Sequence, residues 1–330
     1  MHGFMTTRRG IILAALGTAA AGASGGAALG AIDRVARIIV GAPPGGGTDT
    51  IARIIAAELA AFGYAPSVIV ENRTGASSRI AAEAVKAAAP DGTTILLVPM
   101  PVLTLIGHVF PRTTRFDPVA DFAAATTIGE LCYGFVVRAD HPAQDITGFL
   151  AWARERGGAT FAPPALGAPQ HMLALSLGRD SGVNFTVVPY RGGAAAQADL
   201  LGGRIDSFMS HMAEVSPNAR AGRTRLLAVS SAERLSSHAS TATFAEAGFP
   251  HLTASEAFCL VLPAGAPASV ADALHRGVAA SVARQDVRER LTLLELTPMV
   301  LSPQATAARI RAEYAAWGPV VRASGFTSEE

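Results

Sequence analysis

Gly41-Ala42-Pro43-Pro44-Gly45-Gly46-Gly47-Thr48-Asp49 is the segment of this chain best suited to chemistry, because successive glycines leave backbone N–H groups uncovered just ahead of a helical pattern. Amides at the positive end of a helix suit an anion. A phosphate loop laid on Gly41 to Gly46 would need a lysine at the next position, where Gly47 stands. The dinucleotide fingerprint also fails, since Pro43 and Pro44 occupy the turn where closely spaced glycines are required. A carboxylate is the guest that remains. Asp49 can be read as a helix cap or as a ligand contact. The other reactive residues stand apart. His171 and His211 lack a second His, Cys or carboxylate at metal-ligand spacing. Asp206 suits a pocket water or a surface turn. Arg79 and Arg191 could pair with a carboxylate, while Arg53 reads as a solvated helix position. No Gly-x-Ser-x-Gly elbow or His-Glu-x-x-His occurs, and Cys132 and Cys259 have no histidine nearby in sequence. A secreted α/β enzyme is therefore the weaker alternative to a binding protein, and no cofactor or metal is called for.

The elements that must position these residues alternate. Short β-branched runs and Ala-rich helical stretches predict strand Val35–Val40, helix Thr48–Phe62, strand Ser67–Val70, helix Ile80–Ala88 and strand Thr94–Val98, a βαβαβ unit. A second series starts at Tyr133–Val137. It continues through helix Ile146–Arg156, strand Thr160–Ala162, helix His171–Arg179, strand Asn184–Val188, helix Ala194–Leu201 and strand Ser207–Met209. Strand Arg225–Val229, apolar Phe258–Leu262 and helices Ser269–Arg284 and Thr306–Ala323 follow, and the last of these can return to the first unit. Two sheets with a cleft between them are the expected result.

Composition narrows the partners. The chain has 330 residues, with 27 Lys and Arg against 26 Asp and Glu, and Lys86 is the only lysine, so no basic run exists for nucleic acid. Arg8 and Arg9 precede the apolar stretch Ile11 to Ala21, and small residues from Gly22 to Gly30 follow, the order of an export signal of the twin-arginine or ordinary secretory type. That stretch falls short of the roughly 20 residues a spanning helix needs. In an oxidising compartment Cys132 and Cys259 are permitted a disulfide, with two buried thiols as the favoured state.

Ile38-Ile39-Val40 with Pro44 to Asp49 and Ala52-Arg53, Val70 to Ala76, Ala89 to Thr94, Val188 to Gly193, Asp199 to Asp206 and Thr243 to Pro250 together resemble the periplasmic solute-binding proteins of tripartite tricarboxylate transporters, the Bug or TctC family. The resemblance covers essentially the whole mature chain. It implies an α/β fold with two lobes of the type II periplasmic-binding-protein kind, two Rossmann-like sheets joined by crossover strands with a ligand cleft between them. The expected division is 1–30 for the export signal, 31–132 and 253–330 for lobe 1, and 133–252 for lobe 2. It implies a ligand carboxylate held largely by backbone amides. Lobe 1 would supply Pro44, Gly45, Gly46, Gly47, Thr48 and Asp49 with Pro99, Met100 and Pro101. Lobe 2 would supply Leu166, Gly167, Ala168 and Gln170 with Arg191, Gly192, Gly193 and Ala194, and Asp206 and His211 join the candidate set. It further implies a periplasmic monomer that works with membrane subunits of the transporter, or, with the same pocket, a ligand sensor for a signalling system. Pro99-Met100-Pro101 and Ala162 to Pro169 depart from the family's small polar residues, so the expected ligand is a monocarboxylate with an apolar or aromatic part.

Overall fold

The computed structural model describes residues 32–190 and 192–326. The export signal expected over 1–30 and the candidate Arg191 lie outside the described residues. Chain order begins with β1 (Ala36–Val40), α1 (Gly47–Phe62), β2 (Val68–Asn72), α2 (Arg79–Lys86), β3 (Thr94–Pro99), α3 (Pro101–Thr104) and α4 (Ile106–Val109), then the long β4 (Phe122–Arg138). There follow α5 (Ile146–Glu155), β5 (Ala159–Ala162), α6 (Pro169–Ser181), β6 (Phe185–Val187), α7 (Gly193–Leu201), β7 (Ser207–His211), α8 (Met212–Arg220) and β8 (Thr224–Val229). The chain closes with β9 (Ser255–Pro263), α9 (Ala268–Ala283), α10 (Gln285–Thr292), β10 (Thr297–Pro298) and α11 (Pro303–Ser324).

Burial explains the local choices. β3 is an almost unbroken apolar run, Thr94-Ile95-Leu96-Leu97-Val98-Pro99, because parallel β1 lies on one side and β9 on the other while helices cover both faces. In α1, Ile51, Ile55 and Leu59 recur four residues apart and are all buried against that sheet. The helix stops at Gly63, whose φ of 87° lets its N–H reach back to the Ala60 carbonyl.

One strand joins the two halves. The sheet order is β2-β1-β3-β9-β4-β7-β5-β6, with β8 and β10 also paired to β4. β1 is parallel to β2 and β3, and β5 is parallel to β6 and β7, so each half holds a parallel unit. β4 pairs antiparallel with β9 from Phe122 to Cys132, then with β7 and β8 from Tyr133 to Arg138. Its 17 residues span about 56 Å, longer than either half needs alone. Separate apolar clusters lie in the two halves, one around Ile38, Ile95 and Leu260 and another around Phe135, Phe149 and Phe161. A smaller cluster bridges them, with Leu105, Val109 and Val321 against Met172 of α6. Arg220 of α8 and Glu295, 3.0 Å apart, make a polar link across the same divide.

The sequence pattern missed the short α3, α4 and β10, and it missed three longer pieces for identifiable reasons. The first half of β4, Phe122 to Cys132, is diluted by Ala123, Ala124, Ala125 and Gly129, which carry little strand signal. α8 contains Pro217 within its span, and α10 is mostly charged, with only Val287 and Leu291 turned inward.

Candidate functional site

The glycine loop is built around a buried carboxylate. Asp49, 1 % exposed, accepts the Gly45 N–H at 2.9 Å and the Arg53 guanidinium at 2.8 and 2.9 Å. Asn72 of β2 donates to the same carboxylate at 2.8 Å and also to the Ala42 carbonyl at 2.9 Å. The Arg53 hydrogen bond, with help from Asn72 and Gly45, overcomes the cost of burial and holds the Asp49 carboxyl at about 2. Asp49 is thus not the cap of α1, which is Gly46, and its carboxylate is committed to the loop. It braces the turn. Arg53 is an exposed helix position, as expected, and its guanidinium engages Asp49 bidentately.

This bracing decides which amides stay open. Gly45 gives its N–H to Asp49, and Gly46 gives its own to Pro43 O at 3.1 Å. The N–H groups of Gly47 and Thr48 lie in the first turn of α1, where no carbonyl four residues back can accept them. Gly47 is exposed, and a side chain built there would meet nothing within 4 Å. Beside the loop, Ala76, Ser77 and Ser78 have φ of 45°, 52° and 69°, and the Ser78 side chain fills the space a side chain at Gly41 would need. Left-handed non-glycine residues in succession cost about 1–3 kcal/mol each and tend to mark working sites. Apart from Gly75, which precedes it, no residue pattern announces this turn.

The remaining lobe 1 candidates differ in their surroundings. Met100 is fully buried in the core with Val98, Val102 and Leu103, so its bulk cannot meet a ligand. Pro99 is half-buried, and buried Pro101 lines a groove along the hinge. The expectation that Met100 adds apolar bulk to the cleft is therefore corrected, because an apolar side chain after a buried strand is recruited to the core first, whereas Pro101 stays in the wall of the groove.

In the other half, Leu166 is 43 % exposed, Ala168 is half-buried, and Gly167, at φ 75°, donates its N–H to His171 Nδ1 at 3.0 Å. Burial lowers the His171 pKa to about 4, so the ring is neutral, with Nδ1 as acceptor. Its folded pKa lies below the ordinary value, so its stabilisation is full above about pH 6.5 and is lost as pH falls toward 4. Urea midpoints should accordingly drop from pH 7 to pH 5, and the drop should be smaller in His171→Gln. Gln170, 1 % exposed in the first turn of α6, has neither amide atom hydrogen-bonded among the described residues. Such a group is completed by water or by a guest. Gly192 is exposed, and its N–H donates to Pro164 O at 2.8 Å, which ties the start of α7 to the β5–α6 loop. Ala194 is exposed, while Gly193 is buried. Asp206 accepts the Thr160 N–H and hydroxyl, both at 2.7 Å, at the far end of β7 from the hinge. It belongs to a turn and does not reach the cleft.

Residues 51–326 match the model of the tripartite tricarboxylate transporter family receptor. The chain belongs to this family. It is 30 % identical over 293 residues to protein BugT of Bordetella pertussis, covering 88 % of this chain and 90 % of that one. A Rhodopseudomonas palustris protein solved with adipate is 30 % identical with a TM-score of 0.78, over 89 % of this chain and 98 % of that one. MatC from Rhodopseudomonas palustris, solved with bound malate, is 27 % identical with a TM-score of 0.73, over 87 % and 99 %. The receptor fold thus accounts for a long β4 running between two α/β units. Among the described residues no helix is long and apolar enough to cross a membrane.

At the receptor's hinge, His211 meets residues that sequence reasoning did not single out. Its Nε2 lies 3.1 Å from Glu256 Oε2, an ion-pair distance without an aligned N–H, and the Tyr133 hydroxyl donates to the same oxygen at 2.9 Å. Burial is the largest influence and alone would lower the His211 pKa, but the charge and contact of Glu256 together with the Glu214 charge outweigh it, so the pKa is raised. Burial opposes the Glu256 charge in turn, and His211 and Tyr133 keep the carboxylate ionised. Tyr133, Glu256 and His211 come from β4, β9 and β7, so no spacing in the sequence could have grouped them.

The strand register removes the disulfide. Cys132 pairs with Ser255 and Cys259 with Thr127, which sets the two cysteines four or five positions apart along the β4–β9 ladder. That is roughly 13 Å or more, beyond the ~7 Å between Cα atoms that a bridge tolerates. Both are free; burial pushes the Cys132 thiol up to about 11 and the Cys259 thiol up to about 12. Thiol reagent should label neither quickly in the native receptor and both on denaturation without reductant.

The hinge groove is a cavity of 2040 Å3, with Cys132, Tyr133, Trp317 and His251 in its walls. Arg309 spans it, bound to Glu130 at 3.0 Å and Glu313 at 2.7 Å. Of the candidate ligand-binding residues only Pro101 lines it.

Proposed function

We propose that this receptor captures a small carboxylate in the periplasm and delivers it to the membrane subunits of a tripartite transporter, after export directed by residues 1–30. The observation that carries this reading is the first turn of α1, where Gly47 and Thr48 present open amides on a loop that Asp49 holds rigid. Preorganised amides bind a carboxylate without the cost of ordering the loop. Relatives solved with malate and adipate support the same chemistry. On the facing lobe, Gln170 offers a buried amide with unused donors and acceptors, and exposed Leu166 offers apolar contact for the ligand's carbon chain.

Residues 31–132 with 253–330 move as one body, and 133–252 as the other, hinged where β4 and β9 pass between them. A ligand that touches both shifts the population toward the closed form by its difference in affinity for the two states. The test is thermal shift of the mature protein against mono-, di- and tricarboxylates, followed by calorimetry. Saturable stabilisation by one acid class supports the reading, and no response from any acid removes it.

A further inference from the structure

We propose that Glu214 sets the receptor's ligand selectivity, excluding a second carboxylate and favouring a monocarboxylic acid whose far end carries an ammonium or another hydrogen-bond donor. The proposal rests on the carboxylate-capture reading above. Glu214 is exposed on α8, yet its carboxylate lies against Gly193 at the start of α7. Its Oε2 stands 2.1 Å from where a Cβ at Gly193 would be, so the side chain occupies that space. The Ser210 hydroxyl donates to the same oxygen at 2.5 Å and fixes it.

The consequence follows from charge. The start of α7 is one of the two amide clusters expected to face the ligand, and Gly192 links it to the rim that carries Leu166 and Gly167. The positive end of that helix already has an anion beside it, supplied by the protein. Among the described residues no arginine, lysine or histidine forms an ion pair with Glu214. His211, whose ring feels the Glu214 charge, is engaged by Glu256 at 3.1 Å. A ligand carboxylate placed here would meet a like charge at short range, whereas an ammonium or hydroxyl would find an acceptor. The ligand's own carboxylate is thereby directed to α1.

The experiment uses acids matched in length: hexanoate, adipate and 6-aminohexanoate, with the corresponding four-carbon set and benzoate, terephthalate and 4-(aminomethyl)benzoate. Calorimetry on the wild-type chain should show the amino acid of at least one set binding at least about tenfold more tightly than its diacid, equivalent to about 1.4 kcal/mol. Glu214→Gln and Glu214→Ser should erase most of that ratio, chiefly by admitting the diacid. A wild-type protein that binds a diacid as tightly as its amino counterpart in every set, or folded variants with an unchanged ratio, would overturn the role of Glu214 and leave carboxylate capture intact. Failure of every acid to bind would overturn capture itself, and this inference with it.

Discussion

Gly47→Glu is expected to melt at the wild-type temperature and to bind its acid at least about 100-fold more weakly, a loss of about 2.7 kcal/mol. Both halves of that expectation come from one place in the fold. Gly47 is the first residue of α1, its φ is not in the left-handed region, and no atom lies within 4 Å of the side chain to be added. A carboxylate in the first turn of a helix is also favourable by a few tenths of a kcal/mol or more, so folding should not suffer. For binding, the same carboxylate competes for the Gly47 and Thr48 amides and repels the ligand. Melting curves and calorimetry on the tightest acid check the two halves independently, and an unchanged Kd would place the anion somewhere other than α1. Neighbouring glycines are poorer probes. Gly45 has φ 81°, so any side chain there strains the backbone, and a methyl at Gly193 would displace Glu214.

Asp49→Ala should lower stability by about 3 kcal/mol and weaken binding as well, because it leaves Arg53, Asn72 and the Gly45 N–H without their shared acceptor. Asp49→Asn, which keeps an oxygen for Gly45 but gives up the charge, should cost less, about 1–2 kcal/mol. The pH dependence has a definite sign. The Asp49 carboxyl sits at about 2 in the folded protein, below its ordinary value, so its contribution is complete above about pH 4 and is lost as pH falls toward 2. Urea melts of wild type and Asp49→Ala should therefore converge in that window; curves that stay parallel down to pH 2 would mean that Asp49 does not stabilise the loop through its charge.

The parallel units were legible because their signals are local. Ile51, Ile55 and Leu59 announce α1, and the apolar run from Ile95 to Val98 announces β3. The glycine loop was legible as a candidate anion site because glycines and a helix start occur together in a few residues. What bound Asp49 was not, since Asn72 lies 23 residues away and only the β1–β2 pairing brings it back. Met100 was misplaced for the opposite reason: its neighbours in sequence suggested a loop after β3, and burial in the core decided its direction. Asp206 and the cysteines depended on strand register, which apolar periodicity does not specify between distant strands. Tyr133, Glu256 and Glu214 depended on how three strands and two helices meet at the hinge.

β9 sits between β3 and β4, and Cys259 donates to the Val98 carbonyl from 161 residues further along the chain. During synthesis, β1, β2 and β3 therefore emerge early with one flank of their sheet vacant, while residues 133–252 can complete their parallel unit from contiguous sequence. The half that is begun first is finished last. Closing that gap over so long a loop is slow, and until then β3 offers an unpaired edge to any other strand. The receptor thus passes through a stage in which α1 is present but the strand that flanks β3 is not, and a ligand held by both halves can aid folding only after Ser255 to Pro263 has been made.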